Sequence, residues 1–179
     1  LANADICCDV LDWKYDEYPV GYFDIIFASP PCDCFSSLKR CNIGRFGVTA
    51  KTIADDIHKT GLPILRRTQE IIGYFKPKQY YIENPSTGYM KFYISPSVSW
   101  FDVDYCKYTD WGYRKRTRIW HGCDIPGFTP RLCCQDCGYI ENGRHIMNVT
   151  GNPKGRNNAG QGGGNNRAPR YPIPPVLIK

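Results

Sequence analysis

Tyr22-Phe-Asp-Ile-Ile-Phe-Ala-Ser-Pro-Pro-Cys-Asp-Cys-Phe-Ser36 is an apolar run that ends in a Pro-Pro turn followed by two cysteines. Hydrophobicity from Tyr22 to Ala28, broken only by Asp24, is the pattern of a strand covered on both faces, as in parallel sheets. Downstream, Tyr80-Tyr-Ile-Glu83 repeats the pattern and is closed by Asn84-Pro85. Between these runs, Ile53, Ile57, Leu62, Leu65, Ile71, Ile72 and Phe75 recur at near-helical spacing, and Gly61-Leu-Pro63 should break or kink the segment into two helical pieces. Strand, loop, helix, strand is the order of a parallel crossover, so the expected fold class is α/β. Upstream, Ala4 to Val10 reads as a further short strand.

A length of 179 residues favours one core, and a net charge of +6 favours a polyanionic partner without identifying one. An aromatic share of 14% argues against general disorder, and no apolar run approaches the ~20 residues needed to cross a bilayer. The expectation is a soluble cytoplasmic protein, a monomer with no membrane partner. The 10 cysteines are scattered, apart from Cys133, Cys134 and Cys137, and no signal peptide precedes them, which favours metal or catalytic use over a disulfide framework.

In open parallel sheets the ligand crevice lies beyond the carboxyl ends of the strands, where both Pro30-Pro-Cys32 and Glu83-Asn-Pro85 fall. Tyr105-Cys-Lys-Tyr108 and Arg116-Thr-Arg-Ile-Trp120 read as two antiparallel strands joined through Asp110-Trp-Gly-Tyr113. In an extended segment Arg114, Arg116 and Arg118 share one face, a cationic ridge, or else a solvated edge that deters aggregation. The expected division is a catalytic core over 1–120, a small variable region over 121–168 with a Gly- and Asn-rich loop at 152–167, and a return segment over 169–179.

Three motifs in order resemble those of the DNA cytosine-5 methyltransferase family. The family's Pro-Cys-Gln-x-Phe-Ser loop is matched by Pro31-Cys-Asp-Cys-Phe-Ser36, with Asp33 in place of Gln. Its Glu-Asn-Val is matched by Glu83-Asn-Pro85, and its Gln-x-Arg-x-Arg by Arg114-Lys-Arg-Thr-Arg118. Arg170 to Ile178, with Pro-Ile-Pro-Pro, partly resembles the family's last motif. Lone residues of these types have blander readings, for free Cys is commonly a small buried apolar group, and Glu83 would be an ordinary strand-end carboxylate.

The resemblance implies a Rossmann-like S-adenosylmethionine-dependent methyltransferase sheet with a small irregular target-recognition insert. It implies Cys32 as the nucleophile that attacks C6 of a flipped cytosine, because C5 is a poor nucleophile until something adds there. Glu83 would then hold N3 and the 4-amino group, and Arg116 and Arg118 would support the base and the loop. Ser36, Arg114 and Lys115 are expected to touch double-stranded DNA, with RNA also open. Asp9, Val10 and Pro31 are expected at the S-adenosylmethionine site, because Ala4-Asp-Ile-Cys-Cys-Asp-Val10 resembles the third motif. The family's Phe-x-Gly-x-Gly fingerprint does not occur in these residues, so the chain reads as a fragment lacking the N-terminal strand-helix unit, of phage, viral or bacterial type such as restriction-modification enzymes.

Cys134-x-x-Cys137 with His145, and Cys133 or Cys123 nearby, is a candidate zinc site whose second ligand pair is not evident from spacing. Two alternatives remain open. Ser29-Pro-Pro-Cys32 also resembles the loop of amino-methyltransferases acting on cytosine N4 or adenine N6, although Cys stands where that loop has an aromatic residue. A catalytically silent nucleic-acid-binding relative would fit the missing glycine loop.

Overall fold

The computed structural model describes residues 5–123, 125–147 and 173–177. Close packing divides the chain into two compact units, one comprising 1–100 and 119–126, the other 101–118 and 127–179. These cuts differ from the expected 1–120, 121–168 and 169–179, because Asp104, Cys106 and Arg116 bond within the same unit as Cys133 and His145.

In the first unit, β1 (Ile25–Ala28) pairs in parallel with β2 (Gln79–Pro85), Ile25 beside Gln79 and Ala28 beside Ile82. The crossover between them is α1 (Ala50–Asp56), a π-helical turn at Ile57–Gly61, and α2 (Leu62–Phe75). The two expected helical pieces are present, and the chain does not stop at Pro63. Pro63 sits in the first turn of α2, where a missing N–H costs nothing, and the π turn takes up the misfit. A reciprocal Thr49–Thr52 capping box starts α1. Leu62, Leu65, Ile72 and Phe75 lie on the buried side of α2, and the helix ends at Lys76 in the left-handed region, before Pro77.

The main core joins Phe35, Ile53, Ile57, Leu62, Leu65, Ile82, Met90 and Trp120. A second cluster packs Tyr15, Ile71 and Phe75 with Trp13, Tyr18 and Phe23. Phe35 has no exposed surface, and its ring lies 2.8 Å from where a Cβ on Gly61 would stand, so that glycine lets the ring enter the π turn.

Several expected strands are corrected. Residues 5–10 form no strand; the Asp9 carboxylate accepts from the Leu11 N–H at 2.9 Å, and Arg67 donates to the Val10 carbonyl. Ladder pairing begins only at Ile25, and β1 is an edge strand in the order β1-β2-β4-β3, so Ile25 is 59% exposed rather than buried. Tyr105–Lys107 is a 3-10 turn, and the strand expected there is β3 (Ser99–Asp104), neighbour of β4 (Arg116–His121).

The second unit holds most of β3, the start of β4 and the antiparallel hairpin β5 (Ile140–Glu141) and β6 (Arg144–His145). Asn142 and Gly143, both at positive φ, make its two-residue turn. The 152–167 loop lies outside the described residues, as does most of the 169–179 return segment, of which Pro175–Leu177 form a 3-10 turn. Among the described residues no helix is long and apolar enough to cross a membrane.

Phe35→Ala should lower unfolding free energy by about 3–5 kcal/mol in urea titration, because it empties a core position. Phe46, 92% exposed, should tolerate the same change within about 0.5 kcal/mol.

Candidate active site

The ends of β1 and β2 continue side by side beyond the ladder. Ser29 Oγ donates to Glu83 Oε2 at 2.5 Å, and Asn84 Nδ2 donates to the Pro30 carbonyl at 2.9 Å. Both bridges join residues 54 positions apart, the same offset as the strand register, so side chains extend the pairing that the backbone ends. Farther on, the Tyr89 N–H donates to the Phe35 carbonyl at 2.8 Å, again at that offset. Gly88 is needed there: a Cβ would lie 3.1 Å from the Pro85 carbonyl oxygen and 3.3 Å from that of Phe35.

The cysteine loop is thus held at both ends and turned by Phe35 N–H to Cys32 carbonyl and Ser36 N–H to Asp33 carbonyl bonds, each 3.2 Å. Cys32 is half-buried, Pro31 and Asp33 are exposed, and Ser36 is half-buried at the start of the next 3-10 segment. The two loop thiols differ in surroundings. Cys34 is 3% exposed, and burial, with the Asp33 and Asp56 carboxylates, pushes its thiol up to about 11. A thiol so placed stays protonated at neutral pH and is poorly nucleophilic. Glu83 and Asn84 are both buried, and Asn84 Oδ1 has no hydrogen-bond partner among the described residues.

In the second unit the expected cationic ridge is compensated. Arg116 Nε and Nη2 donate to Asp104 at 3.0 and 2.7 Å, and Arg118 donates in the same two-pronged way to Asp102 at 2.8 and 3.1 Å. The pairing of 116 with 104 and of 118 with 102 runs in opposite senses along β4 and β3, as antiparallel neighbours require. Asp104 has no exposed surface; burial opposes its charge, but Arg116 and the Cys133 N–H outweigh it and hold the carboxyl below its ordinary value. The period-two alternation Asp102-Val-Asp104 was the sequence signal for this, complementary to Arg116-Thr-Arg118. Arg114 is exposed, and the Lys115 ammonium lies 4.9 Å from the Tyr105 ring centre.

Of the thiols suspected of holding metal, Cys134 is exposed. The converging donors are instead Cys106, Cys133, Cys137 and His145, all within 4.8 Å of one another. Cys106 escaped the sequence reading because it stands in a different segment from the other three.

Of the residues expected at the methyl-donor site, Asp9 and Pro31 are exposed and Val10 is half-buried. The Asp9 carboxylate accepts from the Leu11 N–H and the Val10 carbonyl from Arg67, while two cavities of about 780 and 580 Å³ are lined by residues between 39 and 60 and between 89 and 93. Three such residues supply only part of a site for S-adenosylmethionine.

The chain is 43% identical to a probable DNA (cytosine-5)-methyltransferase of Frog virus 3 (isolate Goorha), over 99% of its own length and 83% of that protein's. It belongs to the DNA cytosine-5 methyltransferase family. No family profile matches it. As a member of this family it is an enzyme of that type, built on a mixed α/β fold with a parallel strand pair.

With iodoacetamide at pH 8 on the native protein, Cys34 should alkylate at least tenfold more slowly than exposed Cys41, read by peptide mass spectrometry.

Proposed function

We propose that this enzyme methylates C5 of cytosine in double-stranded DNA, with S-adenosylmethionine as methyl donor and a covalent bond between Cys32 and the base. The observation that supports it most is the doubly bridged junction of Ser29-Pro30 with Glu83-Asn84, which sets a half-buried thiol loop beside a buried carboxyl. That pairing of groups is what addition to a pyrimidine requires.

Cys32 thiolate attacks C6 of a cytosine swung out of the stack, and the electron pair of the C5–C6 double bond moves toward C5 as N3 takes a proton or hydrogen bond from Glu83. After C5 gains the methyl group it loses its proton to water, the Cys32–C6 bond breaks to release the thiolate and restore the ring, and any proton on N3 returns to Glu83. S-adenosylmethionine supplies the methyl group when bound, at a site to which Asp9, Val10 and Pro31 contribute only part.

Ser29, absent from the expected site, is a positioning residue, since its hydroxyl fixes one oxygen of Glu83. Arg116 and Arg118, locked by their aspartates, act as rigid donors toward the DNA backbone and the base, while exposed Arg114 and half-buried Lys115, with Ser36, supply non-specific contacts. The viral relative fits an enzyme at work in an infected cell.

Cys32→Ser should abolish methyl transfer to DNA while sparing DNA binding, and wild-type protein should form a denaturant-stable complex with DNA containing 5-fluorocytosine. Retained transfer by the variant, or no covalent complex, would remove Cys32 as nucleophile and favour an amino-methyltransferase. Ser29→Ala should lower kcat by about tenfold with little change in KM, as expected for loss of the hydrogen bond that positions the Glu83 carboxyl.

A further inference from the structure

Among its described residues the second unit has little apolar interior. Both clusters of packed apolar side chains described above lie in the first unit, and in the second the buried apolar residues are chiefly Val103, Tyr105 and Tyr113. At its centre stand three thiols and an imidazole instead. Cys106 follows β3 in a 3-10 turn, Cys133 and Cys137 flank a tight loop with Gln135 and Gly138 at positive φ, and His145 ends the β5–β6 hairpin. Cys106, Cys133 and His145 are at most 7% exposed and Cys137 is half-buried.

Their distances discriminate between explanations. His145 Nε2 lies 3.3 Å from Cys106 Sγ, 3.5 Å from Cys133 Sγ and 3.4 Å from Cys137 Sγ. One ring nitrogen carries one proton or one lone pair, so it can serve one thiol well and not three at near-equal distance. A tetrahedral zinc with Zn–S of about 2.3 Å and Zn–N of about 2.0–2.1 Å has N···S edges of about 3.5 Å, which is the spacing found. The Cys-x-x-x-Cys spacing of 133 and 137 also falls within the range of structural zinc pairs. Donors this close enclose a single ion rather than an iron–sulfur cluster.

We propose that Cys106, Cys133, Cys137 and His145 bind one structural Zn²⁺ that serves as the core of the second unit. The ion ties the β3 end to the 133–137 loop and the hairpin that follows it, the first of these distant in sequence from the other two. It also bears on the arginine strand. The Cys133 N–H and the Arg116 guanidinium both donate to Asp104 Oδ2, at 2.8 and 2.7 Å, so the loop that the metal holds also holds the carboxylate that aims Arg116. Lys107, next to Cys106, bonds Asp136 across the same loop at 2.8 Å and places a cation beside a site whose three thiolates exceed the metal's charge. Cys134, although one residue from Cys133, faces solvent and is not a ligand.

The full chain, purified under reducing conditions, is expected to carry about one equivalent of zinc by elemental mass spectrometry. Exchanged with Co²⁺, it should show the intense visible bands of tetrahedral coordination and a thiolate-to-cobalt band of three-sulfur intensity. Alkylation should spare Cys106, Cys133 and Cys137 until a chelator is added, while Cys134 reacts at once. Cys106→Ser should lose the metal and Cys134→Ser should keep it. Metal-free wild-type protein that fails to take up Zn²⁺ or Co²⁺ overturns the proposal, as does loss in Cys134→Ser with retention in Cys106→Ser. Should Cys106→Ser not fold, the wild-type cobalt spectrum and alkylation pattern decide alone, neither depending on methyl transfer.

Discussion

The parallel register of β1 and β2, with Ala28 beside Ile82, is the constraint on which the rest of the site depends. Because both chains leave the sheet in step, Ser29 meets Glu83 and Pro30 meets Asn84 without any search, and the carbonyl of Phe35 still finds the N–H of Tyr89. A slip of one residue would turn Ile82 out of the core and break the pairing of hydroxyl with carboxylate, so hydrophobic burial and site geometry enforce the same alignment. Phe35, filling the space beside Gly61, pins the loop whose turn presents Cys32.

The two units are held by different physics. The first buries aromatic and aliphatic side chains against one amphipathic helix, in the manner of an α/β layer. The second pairs buried or half-buried charges across β3 and β4 and gathers soft donors at its centre. Buried ion pairs specify geometry more than they add stability, because desolvation offsets much of the attraction. A unit built on them benefits from a further crosslink, and four converging donors can supply it.

Cysteine here has at least three fates set by surroundings rather than by sequence context. Cys34, only two residues from Cys32, is buried in the core beside two carboxylates and kept protonated. Cys133 and Cys134 are adjacent, yet one is buried among donors and the other faces water. A strand or turn sends neighbouring side chains to opposite sides, so adjacency in sequence predicts different environments.

Period and punctuation carried much of the fold in the linear chain: the helical spacing from Ile53 to Phe75, the apolar runs before Pro30 and Asn84, and the order that demands a parallel crossover. The motif residues at both strand ends were legible for the same reason, since short-range patterns survive without coordinates. Asn142-Gly143, the turn that delivers His145, is as local a pattern but drew no hairpin expectation. What folding alone decided were the partners of long separation. Asp104 with Arg116, Ser29 with Glu83, and Cys106 with His145 meet only because strand pairing and loop closure bring distant segments together. Such encounters depend on register and on which side a residue faces, which spacing along the chain does not by itself state.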